Sequence, residues 1–353
     1  MPPMLPRRCV VLVNTDFESR VAELASEGPR GYEADAAVLD TAREVQRAIA
    51  GLGIEVDELR VTRSLRGVVD ELRARGAEVV FNLVESIDND YGREWQVPEL
   101  LERHGFAYTG NGARPLKLCR AKDQTRRVLM AEGVRVARGI VLRGASASGL
   151  REDLVFPAFV KPARVDGSIG IDADSLVQDH VQLERRIATL IAAGLSGPFM
   201  VEEYLPGKEI NVSLFPSPEQ GGFVVPTEID FSPVPDHLPR FVTYDSKWNP
   251  QSPEYASKSV PAVLDASLRT EVELLARSAF RALGGSAYGR VDMRLDREGR
   301  PCVIDVNPNN DIHPDAGLAT AAKSVGLSYG ELIAGVLERA LEVKHARSSD
   351  RSV

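Results

Sequence analysis

The sequence contains few cysteines and no excess of positive charge. Its 353 residues include three cysteines, Cys9, Cys119 and Cys302, which lie far apart and form no CxxC pair. This spacing excludes a disulfide framework and a cysteine-based zinc site, so we expect reduced thiols. The formal net charge of −8 is opposite in sign to the basic surface that nucleic acid binding needs, and nucleic acid is not expected as a partner.

Long hydrophobic runs are also missing. No segment is long and apolar enough to cross a bilayer, and the first residues, MPPMLPRRCVVLVNTD, lack the apolar run of a signal peptide. We therefore expect a cytoplasmic protein without a membrane partner. Hydrophobic residues make up 43% of the chain and charged residues 27%, which is typical of a globular protein, with room at this length for two or three packed units.

The first part of the sequence alternates short apolar runs with helical patterns. The runs at 9–14, 54–59 and 77–86 have strand length, and the segment 32–53 places apolar residues at helical spacing. Alternation of this kind predicts a parallel α/β sheet covered on both faces. Because ligands bind beyond the carboxyl ends of such strands, NTDFESR and NLVES are candidate binding segments.

The sequence divides into three predicted units and a tail. We place an N-terminal α/β domain at 1–110, a smaller central unit at 111–195, a C-terminal α+β unit at 196–345 and a frayed tail at 346–353. A Pro-rich connection at 231–262 interrupts the third unit, and loops of that length are usually lids or disordered. The arginine pairs at 7–8, 126–127 and 185–186 are interpreted as solvated surface.

A glycine-containing loop is the first candidate for phosphate binding, because GxxxxGK[ST] and strand-flanked GxGxxG motifs are both absent. In VKPARVDGSIGID, Lys161 ends an apolar strand and is followed by Gly167, Ser168 and Gly170. Small residues allow backbone N–H groups to approach phosphate oxygens. A Gly-Ser hairpin turn explains the same glycines, and this segment alone does not distinguish the two.

Two further segments carry acidic side chains at strand ends. In FMVEEYLPGKE, Glu202 and Glu203 end one strand and Glu209 begins the next, where they could accept hydrogen bonds from an adenine amine or a ribose, or simply face solvent. In RVDMRLD and PCVIDVN, the two-residue period of strands puts four polar side chains on one face of a hairpin: Arg290, Asp292, Asp305 and Asn307. Oxygen ligands with a guanidinium fit a Mg²⁺–triphosphate site, and an Arg–Asp pair beside a turn is the alternative.

Taken in order, these segments resemble the ATP-grasp superfamily, and most closely its D-alanine–D-alanine ligase type. VFNLVES and GREWQVPELLERHGFAYTGN are similar to the passage from that family's first domain into its second, and AKDQTRRVLMAEGV to the helix that carries its first ATP-binding lysine. The resemblance implies an N-terminal parallel α/β domain and two α+β domains that clasp ATP. It also implies Mg²⁺, with Mn²⁺ as an alternative ion, and a homodimer, which is common in the family.

The resemblance implies a role for each matching residue. Phosphate contacts fall to Lys122, Lys161 and the loop with Gly167, Ser168 and Gly170. Adenine falls to Glu202 and the backbone of Glu203, Tyr204 and Leu205, ribose to Glu209, and Mg²⁺ to Asp292, Asp305 and Asn307. Arg290, Lys247 (in the mobile-loop segment YDSKW) and Ser168 are the implied catalytic residues. The substrate glutamate of the first domain corresponds to Glu18 or Glu85.

The sequence departs from the family where its members hold their dipeptide. Val165-Asp166-Gly167-Ser168 stands where a Glu-Gly-Ser-Ser run is expected, and Asp311 and Ala316 stand at the glycine and serine positions after the metal-binding asparagine. His313 and Asp315 become candidate specificity residues. The resemblance thus implies an ATP-dependent carboxylate–amine ligase acting on small amino-acid or peptide substrates that are not simply two D-alanines. A ligase that modifies a larger peptide or forms an ester, and a non-catalytic nucleotide-binding protein of this fold, are the alternatives.

Overall fold

The computed structural model describes residues 5–16, 32–143, 154–216 and 222–350. Its first sheet is parallel, with the strand order β2-β1-β3-β4. The strands are β1 (Arg8–Asn14), β2 (Glu55–Val61), β3 (Val79–Leu83) and β4 (Ala107–Tyr108), and the helices are α1 (Tyr32–Gly51), α2 (Val68–Ala74) and α3 (Gln96–Arg103). The predicted parallel α/β arrangement of this region is confirmed.

Strand β1 is buried on both faces, which explains its continuous apolar sequence. Val11 and Val13 face a cluster that includes α1, whereas Val10 and Leu12 face the cluster containing Leu72 of α2. A parallel sheet is covered by its crossover helices, so both faces of its central strand exclude water.

The second sheet is antiparallel and has the order β5-β8-β6-β7. Its strands are β5 (Gly139–Leu142), β6 (Ala158–Pro162), β7 (Leu176–Val177) and β8 (Phe199–Glu203), and α4 (Ala113–Arg120), α5 (Lys122–Ala131) and α6 (His180–Ala192) belong to the same stretch of chain. The predicted limit after residue 195 assigns β8 to the next unit, although β8 pairs with β5 and β6. We propose to move that limit to the connection at 204–208.

The third sheet is also antiparallel, with the order β11-β10-β9-β12-β13. It contains β9 (Glu209–Phe215), β10 (Phe223–Asp230), β11 (Lys258–Pro261), β12 (Gly289–Leu295) and β13 (Pro301–Pro308), with α7 (Tyr244–Trp248), α8 (Ala266–Ala282) and α9 (Gly317–Ser324). The 231–262 connection is more regular than predicted, because it holds α7 and the edge strand β11.

The C-terminal helix α10 (Tyr329–Asp350) returns to the first sheet. Leu332, Ile333, Val336 and Leu337 are buried in the same cluster as β1 and α1. The predicted tail from residue 346 is wrong at its start, since the helix runs to Asp350 and Arg347 Nη2 lies 2.9 Å from Glu102 Oε1. Residues 351–353 lie outside the described range. None of the helices described is both long and apolar enough to span a membrane.

The cysteines provide a test of the packing. All three are buried and free, and burial raises the pKa of Cys9 to about 12 and of Cys302 to about 11, and also raises the pKa of Cys119. Because the thiolate is the reactive form, we expect no fast-reacting thiol in the native protein at pH 8 and three after unfolding in denaturant. Titration with a chromogenic disulfide reagent checks this, and rapid labelling of native protein would contradict it.

Candidate active site

A cavity of about 340 Å³ lies where residues of the second and third sheets meet. Most of the predicted site residues line it, although they come from separate parts of the sequence: Lys122, Lys161, Gly167, Ser168, Glu202, Glu203, Tyr204, Leu205, Glu209, Lys247, Arg290, Asp292, Asp305 and Asn307. The glycine loop, the end of β8 with its two glutamates, and the β12–β13 hairpin with the predicted Mg²⁺ ligands therefore all line the same cavity.

Lys161 and Glu202 form a buried ion pair on one wall. Lys161 Nζ lies 2.9 Å from Glu202 Oε2 and also donates to the carbonyl of Ile304 at 2.9 Å, while both residues are almost completely buried. Lys161 reaches the cavity because it alternates along β6 with Val160, which faces the apolar cluster of the second sheet. The pair thus presents a fixed positive group beside a fixed carboxylate.

Lys122 is held by the glycine loop itself. Its ammonium donates to Asp166 Oδ1 at 2.6 Å and to the carbonyl of Val165 at 3.1 Å, and lies 3.6 Å from Asp305 Oδ2. Burial alone would lower the pKa of Lys122, but the carboxylates of Asp305 and Asp166 raise it above its ordinary value. Arg120 adds a second contact to Asp166 at 3.3 Å.

The glycine loop turns through positive φ angles. Gly167 and Ser168 have φ of 65° and 61° and face the cavity. Gly170, with φ of 74°, does not line the cavity; a Cβ at this position would lie 2.9 Å from Leu195 Cδ1. The positive φ and the close contact with Leu195 therefore both explain why this position is a glycine.

Arg186 and Arg126 are not the solvated residues that the sequence suggested. Arg186 is buried and donates to the carbonyl of Gly170 at 2.8 Å and to Ser175 Oγ at 3.0 Å, so it anchors the end of the loop. Arg126 donates to the carbonyl of Ala137, and its Nε lies 3.8 Å from Glu202 Oε1. An arginine pair in the sequence does not reveal which member points inward.

The Pro-rich connection contacts the glycine loop over the cavity. Trp248 Nε1 donates to the carbonyl of Gly167 at 2.9 Å, and the N–H of Tyr244 donates to the carbonyl of Ile171 at 2.9 Å. These bonds place α7 against the loop, with Lys247 lining the cavity between them. The two segments predicted to close over a ligand are therefore in mutual contact.

Glu209 and Arg294 form a second buried ion pair, and sequence reasoning missed Arg294. Arg294 Nη1 donates to Glu209 Oε2 at 2.8 Å. Burial raises the pKa of Glu209 above its ordinary value, and Arg294 opposes that shift. Arg294 lies two residues after Asp292 on β12, so the period that identified Arg290 and Asp292 also pointed to it.

The hairpin of β12 and β13 brings the metal-type residues together. Asp292 is paired with Asp305 and Arg290 with Asn307 in the strand register. Arg290 binds Asp292 with two N–H groups at 2.6 and 2.8 Å, and Asn307 Nδ2 donates to Asp292 Oδ2 at 2.9 Å. Although burial alone would lower the pKa of Arg290, Asp292 raises it, so the guanidinium is charged.

This donor set fits Mg²⁺. Two carboxylates and one amide supply only oxygen ligands, and Mg²⁺ is usually held by one or two carboxylates with phosphate oxygens and water completing its shell. Among the described residues no group of three His, Cys, Asp or Glu side chains forms a complete protein cage. Asn211, which pairs with Asp292 across β9 and β12, has a buried Oδ1 without a protein partner on the cavity wall. This buried oxygen could accept a hydrogen bond from a ligand or from water bound to the metal.

An apolar wall that the sequence did not identify completes the cavity. Phe159 and Phe241 meet edge to face with their ring centroids 4.9 Å apart, and Tyr204 lies 6.3 Å from Phe241. Phe159 precedes Lys161 by two residues, and could have been found by strand alternation. Phe241 lies in the irregular connection, where no periodicity indicates direction.

A polar network closes the carboxyl edge of the first sheet. Ser86 Oγ donates to Asp16 Oδ2 at 2.8 Å, Asn89 N donates to the same oxygen at 2.7 Å, and Asn14 Nδ2 donates to Asp16 Oδ1 at 2.9 Å. Glu85 is exposed beside this network, and its N–H donates to Asn14 Oδ1 at 3.0 Å. Glu18 lies outside the described residues.

Glu94 faces the same region and was missed by the sequence reasoning. Burial raises its pKa to about 8, Arg120 opposes the shift, and Asp166 and Glu85 add to it. Strongly shifted carboxyls cluster at functional sites. The candidate specificity residues after β13 are bound locally instead: His313 N donates to Asp311 Oδ1, and Asp315 N donates to His313 Nδ1.

Comparisons with known proteins agree with this architecture. A family model described as "D-ala D-ala ligase C-terminus" matches residues 136–338. An uncharacterized protein of Sinorhizobium fredii, y4sG, is 32% identical over 265 residues, 75% of each chain, and a D-alanine–D-alanine ligase of Cupriavidus metallidurans is 28% identical over 77% of this chain and 78% of its own. The crystal structure of D-alanine–D-alanine ligase from Bacillus anthracis complexed with ATP superposes with a TM-score of 0.72 at 20% identity, over 97% of this chain and all of that one.

The fold is therefore that of the ATP-grasp enzymes, a parallel α/β domain followed by two α+β units. Within that class, the chain belongs to the D-alanine–D-alanine ligase family. Enzymes of this class are ATP-dependent ligases that form C–N bonds, and this chain is a carboxylate–amine ligase of that type.

The Lys161–Glu202 pair gives a stability prediction. Replacing Lys161 by Met leaves the Glu202 carboxylate buried without its cation, so we expect the free energy of unfolding to fall by about 3 kcal/mol. Replacing both residues, Lys161→Met with Glu202→Leu, removes the uncompensated charge and should recover most of that loss. Denaturant unfolding of the two variants checks this, and an equal loss in both would contradict it.

The Lys122–Asp166 contact gives a binding prediction. An ATP phosphate that approaches Lys122 has to compete with the Asp166 carboxylate, so Asp166→Asn should tighten ATP binding by about threefold to tenfold. Asp174→Asn removes the same charge from an exposed position nearby and should leave the affinity unchanged. Equilibrium titration with MgATP measures both, and weaker binding by the Asp166 variant would contradict the competition.

Proposed function

We propose that this ligase activates a substrate carboxylate with the γ-phosphoryl group of ATP and then joins it to an amine. One observation carries the proposal. A single cavity is lined by Lys122, Lys161, Lys247 and the Arg290 guanidinium, together with two carboxylates and an amide that suit Mg²⁺. A triphosphate with its metal is the ligand whose charges match this arrangement.

The nucleotide would lie along the cavity from its apolar wall to the hairpin. Adenine would pack against Phe159 and Phe241, donate from its amine to Glu202 and form hydrogen bonds with the 203–205 backbone. Glu209 would accept from ribose hydroxyls, and the phosphates would lie between the ammonium groups, those of Lys122, Lys161 and Lys247, and the backbone of the glycine loop. Small residues there let N–H groups approach the oxygens closely.

Asp292, Asp305 and Asn307 would hold Mg²⁺, which when bound neutralises negative charge on the transferring phosphoryl group. The residues of the chain position the reactants. Arg290, fixed by two bonds to Asp292, presents its charge beside the place where charge develops, without reorganisation at the moment of reaction.

The reaction balances in two steps. A substrate carboxylate oxygen attacks the γ-phosphorus, and the bond between this phosphorus and the β–γ bridging oxygen breaks. ADP departs, and the product is an acyl phosphate. An uncharged amine then attacks the acyl carbon, phosphate departs with the bonding electrons, and the nitrogen loses a proton to give the amide. Lys247, Ser168 and Arg290 line the space where the phosphoryl oxygens would lie, and contact between α7 and the glycine loop would exclude water that hydrolyses an acyl phosphate.

The substrates are proposed to be small amino-acid or peptide molecules other than two D-alanines. Support comes from positions 165–168, 311 and 316, where the sequence lacks the family's dipeptide-binding pattern, and from the shifted Glu94 beside Glu85. A substrate ammonium group beside Glu94 would favour the charged form of this carboxyl and could pair with it. We further propose that the protein is a cytoplasmic homodimer. Its proposed domain limits are those given in the sequence analysis, with the second limit moved to the connection at 204–208.

Phosphate release tests the proposal. Purified protein is incubated with MgATP and amino acids singly and in pairs, with the Asp305→Ala variant in parallel. We expect release that requires a particular pair and falls by at least about a hundredfold in the variant, because a metal ligand is removed. Binding of ATP without turnover on any pair would favour a larger acceptor, and absence of ATP binding would overturn the proposal.

A further inference from the structure

The Arg294 guanidinium donates four hydrogen bonds to groups in three other parts of the chain. Its Nη1 donates to Glu209 Oε2 at 2.8 Å and to the carbonyl of Arg240 at 2.9 Å. Its Nε donates to the carbonyl of Leu205 at 2.9 Å, and its Nη2 to that of Gly207 at 3.1 Å. One guanidinium thus joins β12 to the 205–207 turn, to β9 and to the Pro-rich connection.

The residues that form the Arg294–Glu209 ion pair are almost completely buried. Arg294 is 6% exposed and Glu209 is 7% exposed, and both line the cavity. A buried ion pair gives little net stability compared with apolar residues of the same volume, because both charges lose their hydration. A buried pair on the wall of a binding cavity is therefore better explained by what it does to a ligand.

The geometry fixes the orientation of Glu209. Arg294 occupies Oε2 of the carboxylate, and its other three bonds to backbone carbonyls hold the guanidinium in place. A carboxylate with one oxygen tied in this way has few rotamers left, and its second oxygen is available for a ligand hydroxyl. The same arginine lies 5.4 Å from the Tyr204 ring, at the turn proposed to contact adenine.

We propose that Arg294 is a positioning residue that orients Glu209 toward the ribose hydroxyls of ATP and fixes the 205–207 turn beneath the adenine. The inference rests on the proposed nucleotide site. Lysine cannot replace arginine fully here, because one ammonium cannot reach three carbonyls and a carboxylate in a planar fork. Arg294 touches no reacting atom, so its effect should fall on nucleotide affinity rather than on the chemical step.

The test compares ATP with analogues that lack one ribose hydroxyl. Dissociation constants for MgATP, 2′-deoxy-ATP and 3′-deoxy-ATP are measured by calorimetry on the full chain. The unaltered protein should bind ATP about tenfold more tightly than at least one deoxy analogue, since hydrogen bonds to a charged group are strong. In Arg294→Met this preference should fall to about twofold or less, and Arg294→Lys should restore part of it.

Two further variants keep the result interpretable. Glu209→Gln retains size and leaves Arg294 bound to its carbonyls, so it should lose the same preference even if Arg294→Met does not fold. Arg297→Met removes an exposed arginine from the turn after β12 and should behave as the unaltered protein. The preference of the Glu209→Gln, Arg294→Met double variant should equal that of either single variant, because the two residues act together.

The outcomes separate the two proposals. Equal weakening of ATP and both deoxy analogues in Arg294→Met would make Arg294 a structural residue only and overturn the inference. Equal binding of ATP and both analogues by the unaltered protein would also overturn it, because Glu209 would then not read the ribose. Failure of the unaltered protein to bind any of the three nucleotides would instead overturn the proposed function. The inference would be supported if Arg294→Met lost the preference for ATP over the deoxy analogues but kept most of its turnover rate at saturating ATP.

Discussion

Burial of charge requires charge of the opposite sign close by, and this constraint shapes the whole nucleotide cavity. Lys161 with Glu202, Arg294 with Glu209 and Arg290 with Asp292 each combine a cation with a carboxylate at 2.6 to 2.9 Å. Each pair joins two strands or two positions of one strand, and none could be removed on one side without a large cost. The cavity is therefore a set of matched charges that depends on the exact register of the second and third sheets.

Preformed pairing has a consequence for binding. A triphosphate that enters this cavity meets Lys122 and Lys161 already paired with carboxylates, so at these two lysines it exchanges one charged contact for another. Lys122 is the clearest case, because the loop that should cover the phosphates also supplies the Asp166 carboxylate that holds the lysine. Affinity is then a difference between two sets of charged contacts, and modest changes in the loop should alter it strongly.

The sequence predicted those parts of the protein that follow a period or a motif order. The parallel first sheet follows from apolar runs, and the facing of Arg290, Asp292, Asp305 and Asn307 follows from strand alternation across one hairpin. Phe241 could not be predicted in this way, because it lies in an irregular connection with no period. Arg186 lies on the buried face of α6 together with Leu183 and Ile187, but its position in an arginine pair favoured the interpretation as solvated surface. The membership of β8 in the second sheet was missed because strand order is set by long-range pairing, and the sequence near residue 195 contains a turn that resembles a boundary.

Helix α10 carries residues that complete the core around β1 and α1, although nearly the whole chain separates them. Domains generally form in order as a chain leaves the ribosome, the earliest first. Here the first sheet emerges with part of one apolar face uncovered, and the side chains that cover it are made only after the second and third sheets have been synthesised. The nascent protein must keep that face from other chains until α10 has been made, so the time for which the first domain stays exposed is set by the synthesis of the intervening residues.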